Sequence, residues 1–249
     1  MPLAKVFMSV TYFISDLHLG EEFPAITRCF EAFMRDKAPH AEALYVLGDL
    51  FEVWYGDDNN SLFNKHIATI FKQVAKHTPV YFIHGNRDFI IGQRYADKAG
   101  FTILDEQTVI DLYGTPTLLL HGDELCTDDV AYMKFRRKSR SWWWQTIVKS
   151  LPLSLRRYLA TRGRKNSESN KMLLAADIMD VTPQAVVEAL EKHQVQRMIH
   201  GHTHRPDVHQ LEANGKPATR IVLGDWYEQG SVLVATSESL TLENMQFSE

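Results

Sequence analysis

The stretch VTYFISDLHLG, residues 10–20, begins as an apolar run and ends with Asp16 and His18 among apolar neighbours. A run of β-branched and aromatic residues that leads to a glycine predicts a buried strand. A buried carboxylate without a partner is costly, so Asp16 needs a cation or a hydrogen-bond donor beside it. Residues two apart on a strand point to the same face, which predicts that Asp16 and His18 grip one object together. That object is either a structural partner or a metal ion.

Four further apolar stretches also end in an Asp, Asn or His. They are ALYVLGDLFE at 43–52, VYFIHGNRD at 80–88, TLLLHGDEL at 117–125 and RMIHGHTHRP at 197–206. Between the first three strands, AITRCFEAFMRD and NKHIATIFKQVAKH repeat apolar residues at helical spacing. This alternation predicts an α/β sheet whose sites lie beyond the carboxyl ends of its strands. The later strands in RIVLGDW and SVLVATSESLTLENM have no helix between them and predict a second, partly antiparallel sheet.

Each cluster taken singly also has an ordinary structural explanation. An Asp-x-His can be a hydrogen-bonded pair, Asp49 can end a strand, and Asn86 can stabilise a turn. His202 and His204 are a stronger sign, because two imidazoles at i and i+2 face one way. The joint occurrence of five such strand ends favours a metal site, since an α/β sheet brings neighbouring strand ends together.

The candidate metal ligands are aspartates, histidines and one amide: Asp16, His18, Asp49, Asn86, His121, His202 and His204. This set contains no cysteine and suits Mn²⁺, Fe²⁺ or Zn²⁺ better than a thiolate-bound structural zinc. Seven ligands are too many for one such ion, but they fit two ions that share a bridging carboxylate. Two ions ~3.5–4 Å apart can activate a water and polarise a phosphoryl oxygen, which is the chemistry of phosphoester or pyrophosphate hydrolysis.

The overall composition is that of a globular protein of 249 residues, long enough for one large domain or a core with an insertion. A formal charge of −4 gives no reason to expect a nucleic-acid partner. Cys29 and Cys126 are too few for a disulfide framework, which favours a reducing, cytoplasmic compartment, and we expect neither to be catalytic. No segment has the ~18 uninterrupted apolar residues of a membrane span.

Residues 127–180 differ from the rest of the chain. They hold 12 basic and 5 acidic residues, a formal charge of +7, whereas the remaining 15 basic and 26 acidic residues give −11. Their segment SWWWQTIVKSLPLSLRRYLA, 141–160, is also dense in tryptophan and leucine. We therefore predict a helical cap at 127–180, inserted between core segments 1–126 and 181–249. Alternatively, the three tryptophans pack an ordinary helical subdomain with a solvated charged face.

The order D-x-H, GD, GN, H and GHxH is similar to the signature of the calcineurin-like metallophosphoesterases. The resemblance implies a four-layer α/β/β/α sandwich with a two-metal site. It implies two groups of ligands that share Asp49, namely Asp16, His18, Asp49 and His204, and Asp49, Asn86, His121 and His202. Many members have GNHD, whose histidine assists the leaving group, but this chain has Arg87. An arginine cannot be a general acid, although it can clamp a phosphate oxygen.

The motifs GNRDFIIG, HGDELCTDD, IMDVT and IHGHTHRPDVH resemble one branch of that family, the UDP-2,3-diacylglucosamine diphosphatases of lipid A biosynthesis. This resemblance covers almost the whole chain. It implies a Mn²⁺-dependent hydrolase, peripheral on the cytoplasmic face of the inner membrane. It further implies that water activated by two ions attacks the UMP-side phosphorus, giving UMP and 2,3-diacylglucosamine 1-phosphate (lipid X). A basic, Trp/Leu-rich cap would shelter the acyl chains and attract anionic headgroups.

The same resemblance implies roles for single side chains. The residues implied to be catalytic are Asp49, Asn86, Arg87 and His202. Those implied to bind substrate are Asn86, Arg87, Asp129, Ser167, Lys171 and His202. Relatives often carry lysine where this chain has Leu174, so Lys171 or Arg164 would supply that charge. Asp123 fits two roles equally well, support of His121 or a turn.

Two other functions stay open at this level. The same metal site could act on a nucleotide or a phosphoprotein, and an acyl-free UDP-sugar would then be turned over as fast as the acylated one. The fold could instead be a protein-binding scaffold without activity. A scaffold has no physical need for all seven ligands, which argues against that hypothesis.

Overall fold

The computed structural model describes residues 9–171 and 180–247, and within the first range it leaves out the side chains of 164–171. The strands are β1 Thr11–Ile14, β2 Ala43–Leu47, β3 Val80–Ile83, β4 Thr102–Ile103, β5 Gln107–Leu112, β6 Thr115–Leu120, β7 Arg197–His200, β8 Asp207–Ala213, β9 Lys216–Val222, β10 Gly230–Ala235 and β11 Leu240–Met245. The helices are α1 Pro24–Asp36, α2 Leu62–Val74, α3 Gln93–Ala99, α4 Val130–Ser139, α5 Trp142–Ser150, α6 Leu153–Lys171 and α7 Pro183–His193.

The strands form two mixed sheets. The first has the order β11-β10-β1-β2-β3-β4, and its strands β1 to β4 run parallel. The second has the order β5-β6-β7-β9-β8, with β5 and β8 antiparallel to their neighbours. The prediction of a second sheet is confirmed, but the strands of 231–245 do not belong to it. They extend the first sheet, where Leu233 of β10 pairs with Phe13 of β1 and both fill the space between the sheets.

Three hydrophobic clusters separate the layers. The first joins the helices α1, α2 and α3 to the first sheet and includes Phe30 and Phe71. The second lies between the two sheets and includes Phe13 and Ile199. The third packs α7 on the outer face of the second sheet through Leu190. The resulting order of helices, sheet, sheet and helix confirms the predicted four-layer sandwich.

Helical spacing predicted α1 and α2 correctly because each helix buries one face. The buried face of α1 includes Ile26, Phe30 and Phe33. The helix α2 begins after Ser61, whose side chain accepts a hydrogen bond from the Asn64 N–H and so caps the first turn.

The helices α4, α5 and α6 fall inside the region predicted as a cap. The helix α5 buries none of its residues. Among the residues described, no helix is long and apolar enough to cross a membrane. The boundaries of the cap at residues 127 and 180 stay predictions.

Candidate metal centre

The candidate ligands lie beyond the carboxyl ends of five strands, and these strands come from both sheets. The strands β1, β2 and β3 belong to the first sheet, and β6 and β7 belong to the second. Backbone hydrogen bonds tie the loops together: Asp16 N–H donates to Gly48 O at 3.1 Å and His18 N–H to Asp49 O at 3.0 Å. Across the second sheet, the Gly201 N–H donates to the carbonyl of His121 at 2.9 Å. The centre therefore lies where two sheet edges meet, not at the edge of one sheet.

The convergence of Asp16 and His18 does not come from strand alternation, because β1 ends two residues before Asp16. Both residues adopt the left-handed backbone conformation, with φ of 54° and 51°. The same conformation occurs at Asp49, His202 and His204, with φ of 51°, 71° and 57°. Each such residue costs of order 1–3 kcal/mol, and the surrounding structure must offset that strain. The two side chains do face one centre, but left-handed loop residues place them there and not the strand alternation that was predicted.

Asp16, His18 and His204 form one group whose donor atoms all lie within 4.8 Å of one another. His18 Nε2 and Asp16 Oδ1 each lie 3.4 Å from His204 Nε2. Asp16 Oδ2 accepts hydrogen bonds from Ser15 Oγ at 2.6 Å and from the His202 N–H at 2.8 Å. Asp16 Oδ1 is buried and accepts no hydrogen bond from the described residues. An oxygen and two imidazole nitrogens that face one another in this way fit a cation.

A second group adds Asp49 and His121 to Asp16, again with donor atoms within 4.8 Å. Asp49 stands between the groups, because its Oδ2 lies 4.0 Å from His18 Nε2 and its Oδ1 lies 3.7 Å from His121 Nε2. Asn86 Oδ1 lies 3.1 Å from the same His121 nitrogen. The geometry thus brings an amide oxygen, an imidazole and a shared carboxylate together.

His202 lies beside the second group, with its ring centre 5.0 Å from that of His121. The residue before it must be a glycine, since a Cβ on Gly201 would lie 2.2 Å from Asp16 Oδ2. With His202 in place, all seven ligands predicted from the sequence converge on one centre.

Three of the histidines turn their second nitrogen toward an oxygen. His18 Nδ1 lies 3.1 Å from Glu52 Oε2, and His204 Nδ1 lies 3.0 Å from Asp225 Oδ2. His121 Nδ1 donates to the last carbonyl of β2 at 2.8 Å. Hydrogen bonds of this kind fix the tautomer of a histidine and aim its Nε2 at a bound metal. For His18 the approach to Glu52 is a charge contact, because its Nδ1 forms no hydrogen bond with the described residues. The sequence analysis gave Glu52 and Asp225 no role, and the only signal for them was their place in the motifs GDLFE and LGDW.

The charges of the centre shift the ionisation of its histidines. Burial acts to lower the pKa of His121, but the charges of Asp49 and Asp16 outweigh it and raise this pKa to about 9. Burial opposes charge on His204 as well, and its close contacts with the carboxylates of Asp16 and Asp225 raise its pKa to about 10. Burial would raise the pKa of Asp16, yet His204 and His121 hold it well below its usual range. The carboxylates thus create a negative potential that divalent cations would neutralise.

Arg87 lies at the edge of the centre and is held by two carboxylates. Its backbone N–H donates to Asp49 Oδ1 at 2.8 Å, and its Nη1 donates to Glu52 Oε1 at 2.7 Å. Tyr227 stacks on His18, with ring centres 5.1 Å apart, and its hydroxyl lies 3.4 Å from Glu52 Oε2. The Glu52 carboxylate therefore orients both a candidate metal ligand and a candidate phosphate-binding guanidinium.

The substrate contacts implied on the cap are only partly described. Asp129 caps the helix α4, where its Oδ1 accepts a hydrogen bond from the Tyr132 N–H at 2.8 Å. The side chains of Arg164, Ser167 and Lys171, and all of Leu174, lie outside the described residues.

The chain is similar to several known proteins. A family model for calcineurin-like phosphoesterases matches residues 10–206, a range that spans all five strand-end motifs. A UDP-2,3-diacylglucosamine hydrolase of Enterobacter sp. (strain 638) is 52% identical over 238 residues, covering 95% of this chain and 99% of that protein. One of the same name from Photobacterium profundum is 51% identical and covers 96% and 98%. The solved structure of an archaeal phosphodiesterase is 14% identical, with a TM-score of 0.47 and coverage of 95% and 99%.

Proposed function

The chain belongs to the calcineurin-like phosphoesterase family, and we propose that it hydrolyses UDP-2,3-diacylglucosamine at the UMP-side phosphorus, giving UMP and 2,3-diacylglucosamine 1-phosphate. The observation that carries the reaction type is the Asp49 carboxylate, whose two oxygens face two groups of candidate ligands. A shared carboxylate of this kind suits a two-ion centre for phosphoryl transfer. The substrate follows from the name of the relatives, which match about half of the residues along nearly the whole chain.

We assign the ligands to two Mn²⁺ ions that share Asp49. The first ion takes Asp16, His18, Asp49 and His204, and the second takes Asp49, Asn86, His121 and His202. Two divalent cations bound there supply an activated water and neutralise charge on the phosphoryl oxygens. Oxygen and imidazole donors without thiolate are compatible with Mn²⁺.

The chain's own residues position the diphosphate around this centre. Arg87 binds a phosphate oxygen as negative charge develops on it, and it transfers no proton, because a guanidinium stays charged. Glu52 holds that guanidinium in place through the 2.7 Å hydrogen bond. Asn86 and His202 lie at the same centre and contact the phosphates alongside Arg87.

We assign the exposed apolar surface of α5 and α6 to the acyl chains and to the cytoplasmic face of the inner membrane, where the enzyme is peripheral. Trp142 is 80% exposed, and Trp143, Ile147, Leu155 and Leu159 are exposed as well. This exposure argues against the hypothesis that all three tryptophans pack an ordinary subdomain. A group of large apolar side chains in water is typical of a lipid or protein contact.

The test is a metal-dependence assay on protein stripped with a chelator and then given Mn²⁺, Mg²⁺ or Zn²⁺. We expect Mn²⁺ to restore UMP release from UDP-2,3-diacylglucosamine, and an acyl-free UDP-sugar to be much the poorer substrate. Equal turnover of both compounds would favour a nucleotide-directed enzyme. Cleavage of a generic phosphodiester without UMP release would keep the metal centre and overturn the lipid substrate. Purified protein that binds no metal would revive the scaffold hypothesis.

A further inference from the structure

Asp123 is a buried carboxylate beside the centre that bonds to the cap. It lies two residues after His121 and is fully buried. Its Oδ2 accepts hydrogen bonds from Tyr132 OH at 2.5 Å and from Arg136 Nε at 2.8 Å, and it lies 3.7 Å from Arg140 Nη2. Neither ring nitrogen of His121 forms its described hydrogen bond with Asp123. The carboxylate therefore faces α4 and Arg140, the residue that follows this helix, and not the candidate metal ligand His121.

The partners of Asp123 share one face of the helix. Tyr132, Arg136 and Arg140 are four residues apart, so their side chains lie one above the other. A single buried acceptor that binds this row fixes the rotation of α4 about its own axis. We call Asp123 and these three residues the α4 joint.

The α4 joint also contacts the loops that carry the candidate ligands. The Tyr132 ring lies 6.3 Å from the His202 ring at an interplanar angle of 26°. Arg140 Nη2 donates to the carbonyl of Gly85, the residue before Asn86, at 3.0 Å. One of these loops follows β3 of the first sheet and the other follows β7 of the second. The helix α4, the first of the predicted cap, thereby contacts one ligand-carrying loop from each of the two sheets.

The joint is charged and closely paired, which makes it a defined contact between two parts of the chain. Arg136 Nη2 also donates to Glu106 Oε2 at 2.9 Å, and Arg140 Nη1 lies 3.0 Å from Glu106 Oε1. Paired in this way, a buried carboxylate stabilises one arrangement of its partners, because any other leaves a charge unpaired.

We propose that Asp123 is a positioning residue that couples the cap to the metal centre by holding α4. By fixing α4 it positions the Tyr132 ring against His202 and the Asp129 side chain at the start of the same helix. This inference rests on the proposed function, because it takes the cap as the part that receives the acylated sugar. Asp123 acts on the diacyl substrate through α4 and has no part in holding the ions.

The experiment compares Asp123→Asn with Asp128→Asn, a matched loss of one charge at an exposed neighbour. Two substrates are used with each Mn²⁺-loaded enzyme, UDP-2,3-diacylglucosamine and bis(p-nitrophenyl) phosphate. For Asp123→Asn we expect kcat/KM on the diacyl substrate to fall on the order of 100-fold, as for misplaced substrate-positioning groups. Activity on the small diester and the Mn²⁺ content should stay within about twofold of the parent, a split that a metal-supporting role would not produce.

Two further variants keep the test decisive if Asp123→Asn folds poorly. Tyr132→Phe and Arg136→Gln remove the same hydrogen bonds from the other side and should show the same split between substrates with smaller losses. The double variant Asp123→Asn/Tyr132→Phe should lose no more than Asp123→Asn alone, because both changes break one contact. Independent losses that multiply would contradict the joint.

The outcomes separate this inference from the proposed function. Equal loss on both substrates together with lost Mn²⁺ would show that Asp123 supports the ligands, and no loss on either would show that it is only a turn residue. Parent enzyme that releases no UMP would overturn the proposed function alone. Amide hydrogen exchange at 130–139 then still decides the coupling, since it should speed up in Asp123→Asn and not in Asp128→Asn. Unchanged exchange would overturn it.

Discussion

The metal centre and the cap helices depart from ordinary burial in opposite directions. The centre buries four ionisable candidate ligands, Asp16, His18, Asp49 and His121, whereas α5 leaves Trp142 and Ile147 in water. A buried charge needs a partner of opposite charge, and a group of exposed apolar side chains marks a surface that another molecule covers. Under the proposed function each region is completed by a partner, divalent cations in one case and acyl chains or lipid in the other.

The two regions also use their charged residues differently. Several of the cap's arginines bond to the core. Arg156 donates to Asp58 and to the Tyr55 carbonyl, and Arg157 Nη2 donates to Asn59 Oδ1 at 2.8 Å. With the α4 joint added, four of the 12 basic residues counted in 127–180 bond to the core: Arg136, Arg140, Arg156 and Arg157. The proposed membrane affinity can therefore draw on only part of the counted charge.

The strongest test of the centre is removal of the carboxylate that its two groups share. Asp49→Ala should lose more activity than the ~10–100-fold typical of residues that only support a ligand, and it should bind less Mn²⁺. UMP release and metal content per chain measure this, with Asp97→Ala on the exposed face of α3 as the control. Near-normal turnover in a folded Asp49→Ala protein would refute the two-ion assignment.

The next test asks how much the supporting carboxylates contribute. Glu52→Gln should lower kcat by ~10–100-fold, because Glu52 orients both His18 and Arg87. Asp225→Asn should lose less, since that side chain is 27% exposed against 3% for Glu52 and contacts His204 alone among the ligands. Steady-state kinetics at saturating Mn²⁺ measure both, with the exposed Glu21→Gln as the control. The reverse order would show that Glu52 has little influence on the centre.

A smaller effect is expected where α6 docks on the core. Arg156→Lys should lower the free energy of unfolding by about 1–3 kcal/mol, because lysine cannot make the paired hydrogen bonds to Asp58 and Tyr55 O. Urea denaturation measures the change. Arg162→Lys on the exposed part of the same helix is the matched control. Equal stability of both variants would mean that this contact does not hold the cap.

The smallest expected effect belongs to a single exposed side chain of the cap. Trp142→Ser should weaken binding to vesicles of anionic phospholipid roughly tenfold, the worth of partly burying one large apolar side chain, without lowering Tm. Leu62→Ser is the matched control, because Leu62 is 85% exposed but lies on α2 of the core. Sedimentation with vesicles measures both variants. If the two changes weakened vesicle binding equally, the cap would not be the lipid-facing surface.

The sequence predicted best where local pattern and chemistry agree. The helices α1 and α2 were correct because one apolar stripe must be buried, and that requirement is visible at a spacing of three and four residues. The strands of 231–245 were recognised as strands but placed in the wrong sheet. Alternation shows that a segment is extended, yet it does not show which neighbour supplies the hydrogen bonds.

The residues around the ligands were harder to predict. Asp88 illustrates the difficulty, because it ends the motif GNRD and gave no sign of its role. It accepts hydrogen bonds from the Leu50 and Gly85 N–H groups at 2.7 and 2.9 Å and so joins the loops after β2 and β3. Burial and the charge of Asp49 raise its pKa to about 7. The contact with Leu50 links residues 38 positions apart, and no local pattern records it.

The sequence by itself determined the candidate donors of the centre, the succession of strands and helices, and the family, because ligand chemistry and periodicity are properties of short segments. Only the tertiary structure decided that two sheets meet at the centre and that left-handed residues aim the ligands. It alone showed that Glu52 and Asp225 face the histidines and that Asp123 accepts a hydrogen bond from Tyr132 of α4. The physical reason is that side-chain direction at a loop depends on the packing of the elements on either side. That packing is a property of the whole chain.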